Sequence, residues 1–365
     1  MQTDSTHSPI FTARGISASL GGLIVGFLIG SVLGLGLISV FTALIVSATG
    51  YAAVGTHVAS TLRRALFYGL VFFTLAAVTS YSAGVAWLAG CLIAIIAFFT
   101  SVLTTAGALP ATLALLISPV YLSFAGFSLV MIRDQNTPPL MILIASTIGV
   151  LVALVFSGVA SAVLSRFASD PHVTSLVSIR SMWSAVRQSI TDFGRAPKDG
   201  IRRGVALGIG MVVFQMTPAH DGFLLLMTIG IVLPVYGRVP LIIVGSRLLG
   251  AFIAVGIALL LPFVAPPTVI AIVAFVALAY AIATALHSTT HTLAAVCLSY
   301  LLFIGAPGGE IGIYAGWRLI DAAGGFLIAL TCGYALWRRQ PLLVTPIPEN
   351  LHATAVHQDP RIRMA

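Results

Sequence analysis

The chain has 365 residues, of which 59% are hydrophobic and 8% charged. Soluble domains carry about 25% charged residues, so this composition excludes a water-soluble globular surface and points to a chain embedded in a membrane. The formal net charge of +8 is no sign of nucleic-acid binding, because most cations flank apolar runs, where the bias of Lys and Arg toward cytoplasmic loops accounts for them.

Residues 1–15, MQTDSTHSPIFTARG, are polar and lack a basic segment followed by a short apolar stretch. They predict a cytoplasmic N-terminus without a cleaved signal peptide. A spanning helix takes about 20 apolar residues. Six candidates follow, at 16–33, 35–53, 64–81, 83–102, 108–132 and 140–164, the first two fused in sequence. A polar cytoplasmic linker occupies 165–203. Six more candidates lie at 204–217, 222–237, 247–264, 268–286, 289–305 and 316–337, of which 204–217 is short for a bilayer. The tail, 338–365, carries Pro341, Pro346 and Pro348 and no periodicity; it is expected to be disordered and cytoplasmic.

The expected fold is therefore an all-α polytopic membrane protein of about 12 transmembrane helices, arranged as two tandem six-helix repeats, 16–164 and 204–337, in parallel orientation. With that count the N-terminus, linker and tail share one side of the membrane. That side collects all of the 18 Lys and Arg except Arg133 and Arg318, which marks it as cytoplasmic.

The halves resemble each other. Arg14 opens a glycine-rich run, and STLRRALFYGLVF with Arg63 and Arg64 comes later. Arg203 opens a similar run, and GSRLLGAFIAVGI with Arg247 follows at a similar distance. An even number of spans per half makes both enter the membrane in the same direction, related by an axis along its normal. In the linker, Leu176, Ile179, Trp183, Val186, Ile190 and Phe193 recur at helical spacing. Gly194 and Pro197 end the run. Two readings stand for this amphipathic helix: one lying along the cytoplasmic interface, or one packed under the bundle.

The polar residues inside or beside apolar runs are the candidates for function. Arg247 begins a span at the cytoplasmic side, where it either snorkels or contacts an anion. Arg318 lies on the side otherwise poor in cations, and Asp321, three residues on, shares its helical face. They form either a local ion pair or a working pair, in which Arg318 attracts an anion and Asp321 serves as counter-ion or proton carrier. His220, Asp221 and Glu310 fall in outward loops, as turn residues or as an outer mouth. His287 and His291 in HSTTH lack the glutamate that a helical zinc-protease motif places after its first histidine. No GxxxxGK[ST] loop is present. Cys91, Cys297 and Cys332 make no CxxC pair. Neither an enzyme, a cofactor nor a metal site is expected. Pro110, Pro119, Pro234 and Pro262 free backbone carbonyls that line a cavity or only kink helices.

The stretch HDGFLLLMTIGIVLPVYGRVPLIIVGSRLLGAF, with His220, Gly222, Phe223, Pro234, Arg247 and Gly250, resembles the signature of the fusaric acid resistance (FUSC) family. WRLIDAAGGFLIALTCGYALW, with Arg318, Asp321, Gly324 and Gly325, is similar to the sixth span of that family. The likeness covers 203–339 and is faint over 14–166, where the histidine turn and the terminal Arg/Asp pair are missing. It implies a bacterial inner-membrane exporter of aromatic or other organic acids. Some relatives work with a periplasmic adaptor protein, and plant malate channels are distant relations. The expected partners are the lipid bilayer, a small organic anion, and an adaptor or a second copy of the chain. The candidate substrate-binding residues are Arg247, Arg318, Asp321, His220, Asp221, Arg63 and Arg64. A passive anion channel and a non-transporting envelope-assembly scaffold are the alternatives.

Overall fold

The computed structural model describes residues 9–55, 57–104, 108–166, 179–192, 195–216, 223–233, 241–266 and 311–335, and parts of 269–280 and 294–302. All regular structure among these residues is helical. The helices are α1 (Pro9–Val32), α2 (Ser39–Ala53), α3 (Val58–Ser82), α4 (Ala86–Leu103), α5 (Ala108–Leu129), α6 (Pro139–Leu164), α7 (Ile179–Thr191), α8 (Arg195–Met216), α9 (Phe223–Val232), α10 (Leu241–Val264) and α11 (Ile311–Leu330). A 3₁₀ turn at Gly36–Ile38 precedes α2, and π-helical turns at Val130–Asp134 and Thr331–Ala335 extend α5 and α11.

Among the described residues, four stretches are long and apolar enough to cross a membrane: Gly36–Ala53, Val58–Ser82, Ala86–Leu103 and Pro139–Leu164. Shorter apolar helical stretches occur at Ser17–Val32, Val120–Arg133, Leu249–Leu261 and Leu319–Gly333. A hydrocarbon environment demands that every backbone polar group be satisfied within the helix, and several hydroxyl side chains in these helices are satisfied the same way. Ser80 donates to the Ala76 carbonyl at 2.6 Å, Ser146 to Ile142 at 2.7 Å and Thr147 to Leu143 at 2.8 Å. The outward faces are apolar: Leu151, Val155, Val159 and Val163 form an exposed stripe on α6, and Ile201, Val205, Ile209 and Val213 form one on α8.

Small residues set the closest packing. On α1, Gly22, Gly26 and Gly30 recur every four residues; a Cβ on Gly26 would lie 2.7 Å from the Ala43 Cα, and one on Gly22 2.8 Å from the Val46 carbonyl oxygen. Without Cβ atoms the two backbones of the α1–α2 hairpin come together. Gly34, at φ 73°, and Gly36, at φ 54°, make the reversal, a backbone region that favours glycine.

Helix α6 packs on α1, α2 and α3, while α11 packs on α8, α9 and α10. Between these groups α4 lies along α8, and α5 touches both α4 and α9. One hydrophobic core runs through both groups, from Phe41, Phe72 and Phe124 to Leu207, Met211, Phe214 and Leu226. Phe41 and Phe124 stack with centroids 5.4 Å apart. A smaller cluster joins Val255 and Ala258 to Ile270, Ala274, Leu301 and Leu302.

The helix ends sort into two levels. Thr61, at the start of α3, donates to Ser161 near the end of α6 at 3.2 Å. Gly84, at φ 87°, turns α3 back into α4, which brings the end of α4 to that same level. At the opposite level, Arg133 Nη1 donates to the Gln215 carbonyl at the end of α8 at 3.5 Å, a cation placed against helix C-terminal carbonyls.

A buried arginine pair where α4, α8 and α11 meet

Helix α8 begins RAPKDGIRRGVALGIG. Pro197 is tolerated in its first turn, where the missing N–H has no intrahelical acceptor. Gly200, Gly204 and Gly208 recur every four residues and form one stripe facing α4. A Cβ on Gly204 would lie 2.8 Å from the Ala94 carbonyl oxygen, one on Gly200 3.1 Å from the Phe98 Cα, and one on Gly208 3.1 Å from the Gly90 carbonyl oxygen. The pairings 208 with 90, 204 with 94 and 200 with 98 make α4 and α8 antiparallel.

This close approach carries two arginines inward with it. Ile201 remains on the exposed apolar face, but Arg202 is 8% exposed and Arg203 3%. Arg203 Nη1 donates to the Thr100 hydroxyl of α4 at 3.2 Å. Thr100 is oriented to accept, because its own hydroxyl donates to the Ala97 carbonyl at 3.0 Å. Arg202 pairs with Asp199 one turn earlier, and its Nη1 donates to the Gly333 carbonyl at 3.4 Å. Gly333 lies in the π-helical turn Thr331–Ala335, where the widened helix turns a carbonyl outward. A Cβ on Gly333 would lie 2.5 Å from Leu233, so the end of α9 fixes that turn. The result is two guanidinium groups buried at one end of the bundle, one paired with a carboxylate and one bonded to a hydroxyl. Arg203 ties α8 to α4, and Arg202 ties α8 to the turn that extends α11.

Further along the same junction, Tyr121 of α5 and Thr228 of α9 are 1% and 2% exposed, and neither hydroxyl has a hydrogen-bond partner among the described residues. Leu122 and Thr228 face neighbours across it: a Cβ on Gly230 would lie 2.8 Å from Leu122, and one on Gly325 3.0 Å from the Thr228 Cβ. A buried hydroxyl without a partner is costly in an apolar core.

The residues singled out by sequence are spread through the fold. Arg247 lies in the second turn of α10 and Arg318 in the third turn of α11. Asp321 is half-buried, and its Oδ2 is buried. One turn further, Gly324 and Gly325 pack against Leu225 of α9. His220 and Asp221 lie outside the described residues, as do Pro234, His287, His291 and Glu310. Arg63 is exposed and Arg64 half-buried. Arg64 donates from Nε to the Ser60 carbonyl at 3.3 Å and from Nη2 to the Ser60 hydroxyl at 3.4 Å. Arg202, Arg203, Asp199 and Thr100 were not among the expected site residues. The linker was expected to run to residue 203, but α8 is continuous across 203 and 204. The Gly200, Gly204, Gly208 spacing flanking the arginines was the available signal. Among the described residues no three His, Cys, Asp or Glu side chains come together.

Comparison of the chain with family models, with curated proteins and with solved structures finds no match.

Proposed function

We propose that this protein is a bacterial inner-membrane transporter that exports organic carboxylate anions, aromatic ones among them, and that it is built from two like six-helix halves. The observation that carries the reading is the burial of Arg202 and Arg203 between α4 of one half and α8 and α11 of the other. Ionisable residues in an apolar bundle are expensive and face its interior, where they mark ion or substrate pathways. An anion leaving water loses hydration, and a guanidinium replaces part of it with paired N–H donors while remaining charged.

The helix packing supports the duplication. In the N-terminal half α1 packs on α2, and α6 packs on α1, α2 and α3; in the C-terminal half α8 packs on α9, and α11 packs on α8, α9 and α10. These contacts correspond when α8, α9, α10 and α11 stand for α1, α2, α3 and α6; among the described residues, the packing of α2 on α3 has no counterpart between α9 and α10. In this reading the remaining two spans of the C-terminal half lie within 268–305, completing about 12 spans. The end carrying Arg63, Arg64, Arg202 and Arg203 faces the cytoplasm. Arg247, Arg318 and Asp321 belong to the same anion path, and the FUSC-like motifs around them agree with an organic-acid cargo.

The test is efflux of labelled benzoate and malate from proteoliposomes, with and without a proton gradient. Gradient-dependent efflux that is lost in Arg203→Gln at equal protein incorporation is expected. Flux indifferent to the gradient would make the protein a passive anion channel. Absence of flux for any acid in a broad panel would favour a membrane scaffold.

A further inference from the structure

The described part of α1–α6 contains a single acid, Asp134, and it lies at the level of Arg133. The opposite level carries Arg63, Arg64 and Arg166, with His57 preceding α3. Arg63, Arg166 and His57 are all exposed, so no described carboxylate in this half neutralises that rim.

The backbone beneath the rim is fixed by a closed ring of hydrogen bonds. The Gly55 N–H donates to Thr61 Oγ1 at 3.1 Å, Thr61 Oγ1 donates to Ser161 Oγ at 3.2 Å, and Ser161 Oγ donates to the Gly55 carbonyl at 2.6 Å. The ring ties the α2–α3 turn to the end of α6. Arg64 is drawn into it, since a Cβ on Gly55 would lie 2.8 Å from Arg64 Nη2. Arg64 therefore serves the fold, whereas Arg63 stands outward on α3 and Arg166 is exposed just past the end of α6.

Directly below, α3 and α6 share an apolar outer face. Gly158 leaves room for Leu62, whose Cδ2 would lie 3.3 Å from a Cβ there. Leu62, Leu66 and Phe67 on α3 and Val155, Val159 and Val163 on α6 are exposed around that contact. Cationic side chains beside an apolar face with no covering helix among the described residues match an amphiphile with an anionic head and acyl chains. Basic positions of this kind at the cytoplasmic ends of membrane helices take anionic lipid head groups.

We infer that the α3–α6 face is a binding site for one anionic phospholipid, with its phosphate between Arg63 and Arg166 and an acyl chain along Leu66 and Val159. This assignment is independent of the transport reading. Cations that serve only as topology anchors would give no retained stoichiometric lipid and no dependence on these two positions.

The experiment is native mass spectrometry of the full-length protein in detergent, titrated with dioleoylphosphatidylglycerol or dioleoylphosphatidylcholine. Retention of one phosphatidylglycerol at concentrations where phosphatidylcholine is not retained is expected. Arg63→Gln combined with Arg166→Gln should weaken it by about fivefold per arginine removed, and Arg63→Lys with Arg166→Lys should preserve it. Equal retention of the two lipids, or unchanged retention in the double glutamine variant, overturns the site. Displacement by millimolar glycerol phosphate would show a soluble phosphate site and overturn it as well. Should the glutamine variant fail to fold, the comparison of the two lipids on the wild-type chain, with the lysine variant, decides.

Discussion

Arg203 and Thr100 are 103 residues apart in sequence, yet Arg203 Nη1 donates to the Thr100 hydroxyl at 3.2 Å in a buried setting. The bond exists because glycine at 200, 204 and 208 lets α8 lie against the α4 backbone. Beside it, Arg202 is held by Asp199 and by the Gly333 carbonyl. The arginines thus depend on a packing surface for their position and on polar partners for their burial.

Removing one member of a buried ion pair costs more than replacing the whole pair, because a charge is left without compensation. Asp199→Asn should therefore lower stability in detergent by about 3 kcal/mol. Thr100→Val, which removes a hydrogen bond to a charged group, should lower it by about 1.5–3 kcal/mol. Arg203→Leu, which removes the buried charge itself, should be neutral or stabilising. Chemical denaturation followed by tryptophan fluorescence gives all three values. An Asp199→Asn protein as stable as wild type would mean that water compensates Arg202.

Two kinds of helical glycine are separable by substitution. Gly204→Leu drives a side chain into the Ala94 carbonyl, 2.8 Å from the first added atom, and backbone cannot move aside cheaply. A loss of about 1–3 kcal/mol is expected from overpacking. Gly245 and Gly256, on α10, have no atom of the described residues within 4 Å of an added Cβ. Gly245→Ala and Gly256→Ala should be neutral or gain about 0.5–1 kcal/mol from helix propensity. The same denaturation experiment measures each. A tolerated Gly204→Leu would show that α4 and α8 separate freely.

The class of the fold was legible because composition alone rules out a water-soluble surface, and the apolar runs around α3, α4 and α6 are of membrane-crossing length. The start of α8 was not. RAPKDGIRR carries three Arg and one Lys beside an Asp, and hydropathy assigns such a segment to water. Its glycine spacing, which hydropathy ignores, pulls it into the bundle. Pairings such as Thr61 with Ser161 and Arg203 with Thr100 join residues 100 and 103 positions apart, beyond the reach of any local pattern. Arg64 is a candidate substrate contact from the sequence, and its local partners could not be read there. Its bonds to Ser60 and its contact with Gly55 depend on the α2–α3 turn, which the apolar runs do not specify.

Helix α7 puts Val186 inside, 4% exposed, while Trp183 is 64% exposed and Ile190 38%. It packs on α4 and α8, close to the level of the arginine pair. An exposed tryptophan on a helix that packs on α8 fits a helix resting in the membrane interface. Trp183 fluorescence, in a variant with the other tryptophans replaced by phenylalanine, should be quenched by lipids brominated near the head group. Quenching by aqueous acrylamide alone would place α7 in water.

Arg318 and Asp321 are three residues apart on α11, and Arg247 lies in the second turn of α10, which packs against α11. If these residues continue the anion path that Arg203 begins, the path needs positive charge at Arg318 and not merely a polar group. Arg318→Gln should abolish efflux of organic anions from proteoliposomes while inserting normally, because losing an arginine lowers the cost of insertion. Arg247→Gln should reduce flux less, since an arginine near a helix start reaches the interface. Asp321→Asn distinguishes two mechanisms. In a proton-coupled transporter it removes the dependence on the pH gradient, whereas in a channel flux persists with altered selectivity. Wild-type flux from Arg318→Gln would confine the path to the arginine pair on α8 and return Arg318 to the role of a helix-end anchor.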